Sequence, residues 1–171
     1  MKHITMALLA GVAAAASAQT DTGRDATPYG ISVRGGVVFP LESSFSNAFN
    51  PTLLGLGAEY TLTNPIIKGG ETFFAVDFFT SQIGRKNNVF PVTINQRFYT
   101  SRRDYGSRTY GFIGLGIVFI DTPTNGNGFG GRFGGGIELG EHVYTEASVF
   151  LASKTNGIGA NAAGVYLGYR F

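Results

Sequence analysis

Apart from His3 near its start, the chain has one histidine, His142, set among Glu138, Glu141 and Glu146. A histidine beside a hydroxyl is the core of a hydrolase, and a histidine among carboxylates is a possible metal-ligand set. The hydrolase needs its nucleophile within hydrogen-bond reach of the base. On an extended segment the nearest serine on the face of His142 is Ser148, six residues on and roughly 20 Å away at the rise of a strand. That leaves only a serine on a neighbouring strand as a partner. The three glutamates read as charges of a turn and of a strand face rather than as ligands. There is no cysteine, which removes a disulfide frame and a thiolate metal site. Gly114-Leu115-Gly116 opens no helix, so it does not read as a phosphate-cradling loop. The expectation is a protein that is not an enzyme and needs no cofactor or metal.

A second set of charges is more ordered. Arg34, Glu59, Asp77, Arg97, Arg132, Glu138, Glu146 and Arg170 are four cations and four anions. Each except Asp77 lies on the small, polar face of a segment whose other face is apolar, and Asp77 shares its face with Phe73, Ala75 and Phe79. Side chains alternate across a strand with period two, so such segments read as strands with two unlike faces. The last is the clearest: Ala163, Val165, Leu167, Tyr169 and Phe171 share one face, and Gly164, Tyr166, Gly168 and Arg170 the other.

Seven more segments repeat the pattern, at about 29–39, 52–62, 71–80, 89–99, 109–121, 129–139 and 142–151. The segment at 71–80 is apolar on both faces, which leaves its facing open between Phe74, Val76 and Phe78 on one side and Phe73, Ala75, Asp77 and Phe79 on the other. Gln96 interrupts the apolar face of its strand. Pro91 cannot donate to a ladder and is expected near a strand end or bulge. The stretches between strands are rich in Gly, Asn, Ser and Pro, and those at 40–51, 81–88, 122–128 and 152–161 read as loops. No helical period of useful length is visible. Short connections between consecutive strands predict an all-β, up-and-down antiparallel sheet, and eight strands close the smallest common barrel, with its interior filled.

Alternation does not say which face is inside, but the composition does. Charged residues make up 14% of the chain, against about 25% for a soluble domain. The polar face is mostly Gly, Ser, Thr and Ala with a few Arg and Glu, and none of its strand interiors holds a Lys. A narrow lumen favours small residues interleaved with paired Arg and carboxylates. An Arg facing lipid near the midplane would cost roughly 2–4 kcal/mol. The charged face is therefore placed inside and the apolar face toward a bilayer. Tyr29, Tyr60, Phe98, Tyr169 and Phe171 gather at one set of strand ends, and Phe39, Phe90, Phe119 and Phe129 at the other, as two interfacial girdles would. Lys2 and His3, an apolar run over 4–16 and Ala16-Ser17-Ala18 read as a secretory signal peptide at 1–18, followed by a polar lead at 19–28 and a barrel domain at 29–171. The net charge of +2 gives no basic surface for nucleic acid.

The signal peptide, the eight alternating strands, the Gly-rich runs at Tyr110 to Gly116 and Phe129 to Gly136, and the final Tyr169-Arg170-Phe171 together resemble the small outer-membrane barrels of the OmpA/OmpX type. The resemblance implies that the barrel-assembly machinery reads the last strand, through Val165, Leu167, Tyr169 and Phe171. The family pattern has Gly where this chain has Tyr166. It also implies an outer-membrane location, with the N-terminus and short turns on the periplasmic side and the four loops outside. The resulting expectation is a monomeric, non-enzymatic barrel in contact with outer-membrane lipid, with a structural or surface-interaction role in the cell envelope. The alternatives are a secreted, lipocalin-like barrel holding an apolar ligand, and a narrow pore.

Overall fold

The computed structural model describes residues 30–81, 88–100, 107–121, 126–155 and 157–171. The signal peptide and polar lead, Tyr29, and parts of four connections lie outside them. Eight strands follow in order: β1 (Ile31–Pro40), β2 (Leu53–Thr61), β3 (Glu71–Thr80), β4 (Asn88–Tyr99), β5 (Ser107–Asp121), β6 (Gly126–Leu139), β7 (Val143–Ala152) and β8 (Ala162–Arg170). Every neighbour in sequence is an antiparallel neighbour in space, and β1 also pairs with β8, so the sheet is a closed barrel. Closure leaves no strand edge with unpaired backbone groups, which a bilayer interior would not tolerate. With a length of 9 to 15 residues, each strand is long enough to cross a bilayer at a tilt.

The period-two pattern sets the facing. Arg34, Glu59, Asp77, Arg97, Arg132, Glu138, Glu146 and Arg170 are all buried inside. The opposite positions form an apolar outer wall, on which Leu115 is 71% and Phe129 79% exposed. The open question of β3 is answered: Phe73, Ala75, Asp77 and Phe79 point in, and Phe74 and Val76 point out. This arrangement is the inverse of a lipocalin, so the soluble apolar-ligand barrel does not describe this chain. Of the expected girdle residues, Tyr60, Tyr169 and Phe171 are exposed at the end where β1 begins, here the entry end. Phe39, Phe90, Phe119 and Phe129 are exposed toward the opposite, loop end.

Three local details differ from the sequence expectation. Pro91 is neither at an end nor at a bulge, because the β3–β4 register is the same on both sides of it. The ladder instead skips Asp77 and Phe78 opposite Phe90 and Pro91, which is the gap a missing N–H leaves. Gln96 is buried although it faces outward, since the 62–70 connection folds against it. The 40–51 loop contains a helix, α1 (Ser43–Ala48). Six residues are too few to show a helical period, and too few to be stable alone. Tertiary contact forms α1: Phe45 is wholly buried in the loop end of the barrel, with its ring 4.8 Å from that of Phe49. Burying one such side chain contributes about 1.5–3 kcal/mol. The shortest connection, between β6 and β7, relies on Gly140 at φ 113°, a conformation that a side chain would resist.

The filling changes along the barrel axis. At the loop end Val38, Leu53, Phe79, Val89, Val118, Ile120, Phe150, Ala162 and Tyr166 form an apolar plug under α1. The middle holds the charges. The entry half adds Phe73, Tyr99, Tyr110, Phe112 and Tyr144. The lumen is thus filled, with polar groups in its middle and entry tiers and apolar groups in the tier beneath α1.

Candidate functional site

The charges of the middle tier form one connected cluster. Arg34 on β1 donates to Asp77 on β3 from Nε (3.2 Å) and Nη2 (2.6 Å), and also bonds Glu59 on β2. Arg97 on β4 donates from Nη2 to the other Glu59 oxygen at 2.7 Å. Arg132 on β6 bonds Glu146 on β7, with Asp77 at 3.7 Å and Glu59 at 3.8 Å. Glu146 is also 3.4 Å from Arg34. Three guanidiniums therefore face three carboxylates, and every member is buried. Glu59 is the hub, touching all three arginines.

A second tier lies toward the entry end. Arg170 on β8 bonds Glu138 on β6, and Arg108 on β5 donates to the same carboxylate at 3.1 and 3.2 Å. The pairing of Arg170 with Glu138 closes the network beside the β1–β8 seam. The Tyr99 hydroxyl lies 2.8 Å from Glu71 and 3.1 Å from Glu138, sharing its one proton between the two carboxylates, and Glu71 lies 3.6 Å from Arg97. Glu71 thus joins the two tiers, and all eight strands contribute a charge. The sequence reading missed Arg108, which it assigned to a turn, and Glu71, which it left at a strand start. Arg108 shares the parity of Tyr110 and Phe112, which was the available signal.

Aromatic rings complete the arginine shells. Arg97 sits 4.2 Å from the ring centre of Phe73 and 4.8 Å from that of Tyr110. Arg132 lies 4.5 Å from Phe112, and Arg108 3.4 Å from Tyr99. A weakly hydrated, planar cation can stack on a ring while its edge bonds carboxylates, which explains why these positions are Arg and not Lys. The arrangement stores opposite charge in pairs. Among the described residues, α1 and its plug cover the loop end of the lumen.

His142 is elsewhere. β7 begins one residue after it, and its ring stacks on the outward-facing Tyr169, with centroids 5.4 Å apart and planes at 17°. Nδ1 lies 2.8 Å from the Arg170 carbonyl, which can only accept, so Nδ1 carries the proton. His142 therefore does not share the lumen with Ser148, as simple alternation had placed it. Glu138 and Glu146, expected near it, are held by arginines inside the barrel. Val165, Leu167, Tyr169 and Phe171 all lie exposed on the outer wall, and the rings of Tyr169 and Phe171 meet edge to face at 5.1 Å.

Among solved structures, the barrel is similar to the outer membrane enzyme PagL, with a TM-score of 0.57 over 82% of this chain and 98% of that one, at 11% identity. The fold is that of a small outer-membrane barrel. Two further structures are the N-terminal β-barrel domain of OprF from Pseudomonas aeruginosa and the outer membrane protein Ail from Yersinia pestis. The first gives a TM-score of 0.49 at 16% identity, covering 84% of this chain and 98% of the domain. The second gives 0.46 at 16%, covering 84% and 99%. No protein-family model and no curated protein sequence matches the chain. At these identities the likeness concerns backbone architecture alone. It nevertheless corrects one expectation. The chain was expected to be non-enzymatic because no serine on its own strand comes within reach of His142, yet the same outer-membrane barrel fold is that of an enzyme. The architecture therefore gives no ground for excluding catalysis.

Proposed function

We propose that this protein resides in the outer membrane as a monomeric barrel with a closed lumen, and that its role is to support the envelope or to present a surface for interaction. The observation that carries this reading is the cross-strand charge network under an apolar plug and a helical cap. A wall that is apolar outside and ionic inside is stable only with lipid around it. A lumen occupied, among the described residues, by ten paired charges and two aromatic tiers argues against the narrow pore. In this reading the barrel-assembly machinery recognises Val165, Leu167, Tyr169 and Phe171, whose outward exposure keeps them readable on an unpaired last strand.

Three measurements test the proposal. The native protein should be recovered in the outer-membrane fraction and migrate in a heat-modifiable way, and recovery as a soluble protein would refute the location. Planar bilayers containing the pure protein should show no steady conductance. Cells lacking the protein should lose detergent resistance or surface adhesion, and a deletion strain unchanged in both would remove the envelope role.

A further inference from the structure

The connection between β2 and β3 lies against the outer wall. Gly70 is pressed so close to Gln96 and Phe98 that a Cβ would approach the Phe98 ring to 3.1 Å. The Ile66 N–H donates to Thr72 Oγ1 at 2.7 Å, Thr72 Oγ1 donates to Gln96 Oε1 at 2.6 Å, and Gln96 Nε2 donates to the Ile67 carbonyl at 3.3 Å. Thr72 and Gln96 point away from the lumen but are buried. Uncovered, they would set two polar groups on a lipid-facing wall, a costly placement in hydrocarbon. The turn satisfies them through its backbone and so replaces that polar spot with its own side chains.

Those side chains are apolar. Ile66 is 68% and Ile67 51% exposed, in a connection otherwise made of Leu, Thr, Asn, Pro, Gly and Lys. Their backbone is tied to Thr72 and Gln96, and the outward neighbours of those two residues in the register, Phe74, Ile94 and Ile113, are also exposed. Lys68 follows directly and is exposed. Two isoleucines tied to the membrane wall, beside a cation at the entry end, match a phospholipid: an acyl chain against Ile66 and Ile67, and a phosphodiester at Lys68.

We propose that the 62–70 turn is a phospholipid-docking foot of the barrel, seated in the leaflet at the entry end, the periplasmic leaflet in the orientation above. The inference rests on the membrane-barrel reading, and its test separates the two. The chain has no tryptophan, so a single introduced one reports its own surroundings. Ile67→Trp probes the turn, and because Ile67 bonds Gln96 through its carbonyl, the substitution leaves the contact in place. Leu115→Trp probes the wall. Both full-length variants are reconstituted in phosphatidylcholine vesicles carrying bromine either near the glycerol backbone or near the chain end.

The expected result is quenching of the tryptophan at 67 by the shallow bromines, and of that at 115 by bromolipid generally. Quenching at 115 with none at 67 overturns the docking foot and leaves the barrel standing. Quenching at neither position overturns the barrel reading itself. In brominated phosphatidylglycerol the signal at 67 should reflect up to about fivefold enrichment over phosphatidylcholine at low salt. Lys68→Ala should abolish that preference while keeping the shallow quenching. A preference unchanged by Lys68→Ala would refute the role given to the lysine.

Discussion

Replacing Glu59 by Gln tests the lumen network where it is most connected. The substitution keeps volume and shape, and removes one charge from a cluster of three arginines and three carboxylates. The cluster passes from neutral to one net positive charge. Arg97 loses its 2.7 Å carboxylate partner, and the new amide turns N–H groups toward guanidiniums that cannot accept them. Removing one partner of a buried pair costs roughly 3–5 kcal/mol, against a typical total stability of about 5–15 kcal/mol. Urea unfolding in detergent micelles, followed by circular dichroism and by loss of the heat-modifiable band, should show a midpoint shift of that size. Adding Arg97→Gln restores neutrality. The double variant should then be more stable than the sum of the two losses by about 0.5–3 kcal/mol. Lys154→Ala is the control: Lys154 is 68% exposed on its side chain and 3.7 Å from Glu42, and its loss should stay within about 1 kcal/mol. A Glu59→Gln effect no larger than that control, or strict additivity with Arg97→Gln, would refute a coupled lumen network.

Arg132→Ala, which frees Glu146 from its bonded partner, should also destabilise by roughly 3–5 kcal/mol in the same assay. Phe45→Ala should make the 41–50 segment sensitive to added protease while the barrel keeps its heat-modifiable migration, because the helix depends on that ring and the strands do not. Gly116→Ala should sharply lower the yield of folded barrel, since a Cβ there collides with the Val92 carbonyl. Gly131→Ala should fold normally, its nearest neighbours being ordinary contacts at 3.4 and 3.5 Å. Equal yields of the two glycine variants would contradict the strand facing assigned to β5 and β6.

Much of this molecule can be read from alternation, because in a barrel one local rule, period two, also sets the global inside and outside. Arg34, Glu59 and Arg170 were assigned to one shared face by parity, and that face to the lumen by its composition. What alternation concealed were the places where both faces are apolar. Val37-Val38-Phe39, Phe78-Phe79 and Ile117 to Ile120 lose their contrast near the loop end, where the inward residues build a plug. Helix α1 was not legible because its stability comes from the pocket that receives Phe45, not from its own six residues. Gln96 looked like a flaw for the same reason: its partner, the Ile67 carbonyl, is 29 residues away in sequence. The mistaken exclusion of catalysis had a different source: it considered only the one histidine and the serine on its own strand, and spacing along one strand says nothing about groups that other strands bring together.

The distribution of the charges over all eight strands has a consequence for biogenesis. Arg34 of β1 finds its carboxylates on β2, β3 and β7, and Arg170 of β8 finds its own on β6. Among the described residues, five of the seven consecutive hairpins carry a net lumen charge, and a sheet still open at the β1–β8 seam would hold Arg34 away from Glu146 and Arg132 away from Glu59 and Asp77, exposing ions to hydrocarbon at roughly 2–4 kcal/mol for each arginine near the midplane. Partial insertion is thereby penalised, and crossing the membrane is tied to circularisation of the sheet. The network acts as a proofreading step: a barrel with a slipped register or a missing stave fails to neutralise itself and is not stable in the bilayer.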